Sequence, residues 1–190
     1  MLDGAITRSA ADQVDVPNKN NAAALAKIMC AVEDGSAPLA SALQGKINGN
    51  VQVTRRQTID KIMQENDRIQ GFMRAGQNAG TYLFNKKTHI ATAMFLIEFV
   101  GRDDVVERFV HEMAQLATPA QQINALRAHV GKSLAVKNFK ADYKWVASCI
   151  LTAYEAFRND TEIKQFNKTG AIFSRYDKYV FDAREARKEI

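Results

Sequence analysis

Thr88-His89-Ile90-Ala91-Thr92-Ala93-Met94-Phe95-Leu96-Ile97-Glu98-Phe99-Val100 is apolar on nearly every side. A helix of that kind is normally buried all round. The stretch therefore reads as a central helix on which the remaining segments pack. It is apolar for only about 13 residues, short of the roughly 20 needed to span a bilayer. Gly101 and the charged run Arg102-Asp103-Asp104 close it off.

The flanking segments supply partners with single apolar stripes. Upstream, Leu25, Ile28, Met29 and Val32 follow helical spacing, with Asn20 or Asn21 as N-cap and Asp34-Gly35-Ser36 as stop. Pro38 suits the start of a short helix carrying Leu39 and Leu43. Lys46-Ile47-Asn48-Gly49-Asn50 is a turn-rich connector, and Val51-Gln52-Val53 is too short to found a sheet. Thr54 and Gln57 make a capping box. Ile59, Ile62 and Met63 face inward on the helix that follows. Asn66-Asp67 reads as a break and a new N-cap, with Ile69, Phe72 and Met73 on the next helix. Downstream, Asp103 opens a helix with Val106, Phe109, Val110, Met113 and Leu116 on one face. Thr118-Pro119-Ala120-Gln121 combines an N-cap, a first-turn proline and a capping box. The helix behind it ends between Gly131 and Leu134. Tyr143 to Arg158 is strongly amphipathic, with Trp145, Val146, Cys149, Ile150, Ala153, Tyr154 and Phe157 on one stripe. The expectation is an all-α protein: a compact multi-helix bundle of roughly eight helices around a buried central helix.

Two units are expected: a helical domain over 1–160 and a C-terminal helical extension over 161–190. In the extension Ile163, Phe166, Phe173, Tyr176, Tyr179 and Phe181 interleave with basic residues. Phe166, Phe173, Tyr176 and Tyr179 form a candidate partner-binding stripe, for another protein or a second copy of this chain. Aromatics among basic residues can also stack on single-stranded bases, although Glu162, Asp177, Asp182, Glu185 and Glu189 dilute that reading. If the stripe serves a partner, removal of everything after Asp160 leaves the rest folded.

Charge is unevenly spread over the 190 residues, whose formal net charge is +5. Between Lys46 and Lys87 eight basic residues, Lys46, Arg55, Arg56, Lys61, Arg68, Arg74, Lys86 and Lys87, face three acids. Lys132, Lys137, Lys140 and Lys144 form a second cluster opposed only by Asp142. Such asymmetry suits a polyanionic partner, and these residues are the candidate phosphate contacts. A solvated basic face is the plainer alternative. The pair of helices around Asn66-Asp67 could form a helix-turn-helix, although the break lacks the usual turn glycine.

Catalytic signals are sparse. Cys30 and Cys149 sit in apolar patterns, as buried free thiols of a reducing compartment do. Glu107 and His111 are four apart on one helix, a surface pair without an HExxH or Cys-x-x-Cys pattern to complete a metal site. His89 reads as a cap or core-edge residue. No Gly-rich phosphate loop and no nucleophile elbow occur. No enzyme, no metal and no cofactor is expected. Met1 to Ala11 has no apolar core of a secretory signal, so a soluble, cytoplasmic protein is expected.

Three stretches taken in order carry a resemblance: Leu2-Asp3-Gly4-Ala5-Ile6-Thr7-Arg8-Ser9-Ala10-Ala11-Asp12, then Val53-Thr54-Arg55-Arg56-Gln57-Thr58-Ile59, then Trp145 to Arg158. The order resembles the helical C-terminal region of phage- and plasmid-borne proteins whose N-terminal part is a ParB-like domain. Those proteins share an R-[ST]-A-A-D lead-in, a [VT]-[ST]-x-x-x-[IT] helix start and a late AWNA-like helix. The resemblance spans Leu2 to Arg158, and no G-x-H-R ParB box occurs in this chain. It implies a mobile-element origin, a bacterial host cell and work near DNA, with no nuclease or nucleotide chemistry carried over. The expected function is thus a non-enzymatic helical protein of a phage or plasmid that binds nucleic acid or a nucleoprotein complex through its basic clusters. The alternative is a protein-interaction module, such as a phage-encoded inhibitor of a host defence or transcription complex, that binds protein and not DNA.

Overall fold

The computed structural model describes residues 8–35, 37–82, 87–100, 103–134, 143–166 and 169–189. A single helical turn at 8–11 precedes α1 (Lys19–Asp34) and the short α2 (Leu39–Ala42). A small hairpin of β1 (Lys46–Ile47) and β2 (Val51–Gln52) leads into α3 (Arg55–Tyr82). Then follow α4 (Lys87–Val100), α5 (Asp103–Met113), α6 (Gln121–Leu134), α7 (Tyr143–Arg158) and α8 (Thr169–Lys188). The protein is an all-α bundle.

α4 is the helix the opening stretch predicts. It packs against α1, α3, α5, α7 and α8. Ile90, Phe95, Leu96 and Ile97 are fully buried, and only Glu98 of the described side chains is exposed. Each large apolar side chain so buried is worth about 1.5–3 kcal/mol. Thr92, fully buried within it, is satisfied locally: its Oγ1 donates to the Thr88 carbonyl at 2.9 Å. α1 offers a small-residue face of Ala22, Ala23, Ala26 and Ala31, all buried, which lets α3 and α4 approach it closely. Cys30 and Cys149 are buried free thiols. Burial pushes their pKa values up, to about 11 for Cys30 and about 12 for Cys149, so neither is a ready nucleophile. Among the described residues no helix is long and apolar enough to cross a membrane.

Several local readings hold. The Thr54–Gln57 capping box forms reciprocally: the Gln57 N–H donates to Thr54 Oγ1 at 3.2 Å, and the Thr54 N–H donates to Gln57 Oε1 at 2.9 Å. α7 has the predicted limits, with Val146, Cys149, Ile150 and Tyr154 buried. His89 lies at the core edge, half-buried.

Other readings are corrected. α1 begins at Lys19, behind a left-handed Asn18 whose side chain makes no cap. The connector at 46–50 closes into the hairpin, because Asn48 and Gly49 both adopt positive φ and pair Ile47 with Val51. Pro119 does not open α6. Thr118 instead accepts from the Ala120 N–H at 3.1 Å, and the helix starts at Gln121. The Gln121 amide turns away to clasp the Ile163 backbone, accepting its N–H at 2.9 Å and donating to its carbonyl at 3.0 Å. Leu116 lies beyond α5, in a loop, and is 75 % exposed.

The predicted break is present one residue earlier, as a kink: two helical segments of α3 meet at Glu65, whose dihedrals are non-helical (φ −125°, ψ 29°), with no intervening turn. Lys61 and Arg68 reach Glu65 from either side of the bend, at 2.6 and 2.7 Å. They also grip Glu33 of α1, and Arg68 reaches Glu98 of α4 at 3.0 Å. Burial alone lowers the Lys61 pKa, but the hydrogen bonds its ammonium donates to Glu33 and Glu65 outweigh it and the value is raised. Burial likewise opposes ionisation of Glu65, yet Lys61 and Arg68 hold its carboxyl below the usual range. The network joins the halves of α3 to each other and to its neighbours. A helix-turn-helix needs a connecting turn between two helices, and none is present here.

The C-terminal helix packs on its own domain, against α2, α4 and α7. Tyr176 and Val180 are buried, and the Tyr176 hydroxyl donates to the Leu151 carbonyl at 2.6 Å. Asp177 accepts the Ala40 N–H at 3.1 Å near the start of α2. Arg184, only 3 % exposed, donates to the carbonyls of Ala31 (2.9 Å), Val32 and Ala37. It thereby fills the C-terminal end of α1, where free carbonyls and the helix dipole favour a cation.

Candidate nucleic-acid interface

The twelve basic residues singled out from the sequence divide into distinct groups. Lys61 and Arg68 are committed to carboxylates in the network at the α3 bend, and their side chains are 17 % and 31 % exposed. Arg74 is exposed on the second half of α3, and Arg56 is exposed beside Asp60 at 3.8 Å. Lys86, Lys137 and Lys140 lie outside the described residues, and for Lys87 only the backbone is described.

The remaining members converge. The rings of His89, in the first turn of α4, and Tyr143, the first residue of α7, stack with centroids 4.0 Å apart and planes 3° apart. The two helices therefore begin side by side, which brings two positive dipole ends close together. Burial pushes the Tyr143 phenol up, against a hydrogen bond with Thr88. His129 lies against Trp145 at 5.9 Å and stacks on Phe166 at 4.4 Å, which brings the last turn of α6 to the first turn of α7. Lys132, exposed, and Lys144, half-buried, sit at that junction. Burial and then the charge of Lys132 lower the His129 pKa.

Tyr143 also lines a cleft of about 780 Å³ with Arg8, Lys27 and Gly45. The stem of Lys27 lies so close over Gly45 that a Cβ there would come within 2.4 Å of Lys27 Cε, and Gly45 has φ +70°. The positive φ favours glycine, and a larger residue would also have to displace the Lys27 stem. Lys46 follows directly, and the Arg55 guanidinium donates to Ser9, beside Arg8, at 2.8 Å. The cleft holds one carboxylate, Asp12, which faces Lys19 at 4.0 Å. Lys46, next to Gly45, and Lys144, next to Tyr143, one from each sequence cluster, thus flank this cleft and give it a basic pole. Arg8 and Lys27 were missed in the sequence. Arg8 stood in the lead-in stretch without charged neighbours, and Lys27 was hidden inside the apolar run of α1.

The candidate aromatic stripe is divided. Tyr176 is buried in its own fold, Tyr179 hydrogen-bonds the Arg158 guanidinium, and Phe166 stacks on His129. The side chain of Phe173 lies outside the described set, and Phe181 is 45 % exposed. On α5, Glu107 and His111 are both exposed, and His111 contacts Gln115. Among the described residues no group of three or more His, Cys, Asp or Glu side chains could hold a metal ion.

No protein-family model, no curated protein and no solved structure matches this chain.

Proposed function

We propose that this chain is a non-enzymatic helical protein of mobile-element origin that binds nucleic acid, alone or within a nucleoprotein complex, at the basic pole where α4 and α7 begin. The observation that carries this reading is the His89–Tyr143 stack. It sets the starts of α4 and α7 side by side, next to the cleft lined by Arg8 and Lys27. The mechanism is charge neutralisation, with phosphates displacing counterions from the pole. The ParB-like resemblance supports the same reading from the side of origin.

The test is fluorescence anisotropy with labelled single-stranded and duplex DNA across a salt series. Binding is expected to weaken linearly on a log–log plot. Each lost phosphate contact lowers the slope by roughly 0.7 for single strands and 0.9 for duplex. Arg8→Glu with Lys132→Glu is expected to remove most of the affinity, whereas Arg74→Glu leaves it largely intact. Undetectable binding at low salt, or equal losses in the two variants, would refute the proposal.

A protein-interaction module is the second reading, favoured by large apolar side chains left in solvent: Leu116 at 75 %, Met63 (expected to face inward) at 68 %, Val51 at 59 % and Phe181 at 45 % exposed. A partner complex that survives high salt and is lost in Leu116→Asp or Phe181→Asp would select it.

A further inference from the structure

The cleft at the basic pole carries more than charge. A grip on phosphates alone needs only cations. Here the cations stand beside an apolar wall, formed by the half-buried Ala24 and buried Ile28 of α1 and by Leu43 at the end of α2. Tyr143, stacked on His89, adds an aromatic ring. Asn20 and Gln44, both exposed, add carboxamides. Each carboxamide offers donors and an acceptor, the pattern that reads the edge of a base.

The charge is also fixed in place. Lys27 is only 5 % exposed, and its stem lies over Gly45. A cation held in that way is pre-organised and loses little freedom when an anion arrives. Arg8 lines the same space. The volume, about 780 Å³, lies within the range of small-molecule sites, about 300–1,000 Å³. A ring with a phosphate attached satisfies the apolar wall, the carboxamides and the cations together. A base stacked and paired inside a duplex cannot enter, whereas a base of a single strand can be splayed out into a pocket.

We infer that this cleft seats one unpaired base of a single strand, against Ala24, Ile28 and Leu43, with the adjoining phosphate on Arg8 and Lys27. The seat presupposes the nucleic-acid role proposed for the pole and adds the form of nucleic acid it takes.

The experiment is fluorescence anisotropy of the full chain with labelled oligothymidylate and with an abasic strand of the same length. Both strands carry the same phosphates, so charge alone binds them alike. The intact strand is expected to bind about tenfold more tightly, as a base seated on protein implies. Ala24→Leu fills the cleft from a half-buried helical position with a good helix former. It is expected to bring the intact strand down to the abasic level and to leave abasic binding unchanged. Gln44→Ala, an exposed change, is expected to cost the intact strand about threefold and the abasic strand nothing. Equal binding of intact and abasic strands by the unaltered chain would overturn the base seat while the basic pole stands. An undiminished preference for the intact strand in Ala24→Leu would do the same. Binding of neither strand at low salt would overturn both.

Discussion

Arg184→Ala is expected to be among the most damaging single substitutions in the chain. Its guanidinium is buried and donates to three backbone carbonyls, those of Ala31, Val32 and Ala37. A hydrogen bond from a charged group is worth about 1.5–3 kcal/mol, so the gross loss runs to several kcal/mol. Water entering the vacated space recovers part of it, since two of the carbonyls belong to the end of a helix. Removal of one partner from a buried charged arrangement typically costs about 3–5 kcal/mol, and that is the expected loss here. With a urea m-value of about 2 kcal/mol/M, the midpoint falls by roughly 2 M. The assay is urea unfolding followed by circular dichroism, with m unchanged. Arg184→Lys is expected to recover less than half, because one ammonium cannot reproduce the fork of donors. Arg187 lies on the same helix, donates to the Phe99 carbonyl at 3.1 Å and sits 3.9 Å over the Phe99 ring. It is exposed, and Arg187→Ala is expected to cost only about 1 kcal/mol. If Arg184→Ala costs no more than Arg187→Ala, the carbonyl clamp is not what holds α8. The same reasoning reverses the expectation for a chain cut after Asp160: without α8 it loses cooperative unfolding.

Three further outcomes follow from named contacts. Thr54→Ala removes the capping box of α3 and is expected to cost about 1 kcal/mol in thermal or urea unfolding; a neutral effect would show that the box adds nothing. The folded pKa of His129 lies below 6.5, so the unfolded chain binds its proton first as pH falls. Its contribution to stability is therefore complete above pH 6.5 and declines below it, and His129→Gln is expected to flatten that decline in denaturant midpoints measured between pH 5 and 8. Glu65 has its folded pKa below 4.5, so its contribution is present above that pH and is lost as pH falls through the folded value; Glu65→Gln is expected to cost on the order of 1 kcal/mol at pH 7 and little at pH 3.

The parts of the fold legible in the sequence were those whose signals are local. The all-round apolar run of α4, the amphipathic stripe of α7 and the Thr54–Gln57 box each lie within a few turns of chain, and each forms. What escaped is what depends on distant partners. The break near Asn66-Asp67 was legible as the kink at Glu65, but nothing nearby shows that Glu33 and Glu98 will supply carboxylates to Lys61 and Arg68 and hold the two segments together. Those two cations looked like surface charge for the same reason. Arg184 read as one more basic residue of the tail, since backbone carbonyls leave no trace in a sequence. Pro119 misled because Gln121 had a stronger use at Ile163 than in a capping box. Of the basic pole, the charge clusters were visible. Their meeting point was not, because it rests on ring stacks between α4, α6 and α7.

The bond from Arg184 to Val32 spans 152 residues of chain. A ribosome adding about 5–20 residues per second needs roughly 8–30 s to make that length. Throughout that interval α1 exists without the cation that finishes its end, and the pocket meant for the guanidinium stands open. Closure of so long a loop adds little entropy beyond a shorter one, so the delay is one of timing and not of equilibrium. The end of α1 is thus completed by a residue synthesised 152 positions later, and a nascent chain stalled before α8 remains an unfinished substrate for chaperones and proteases.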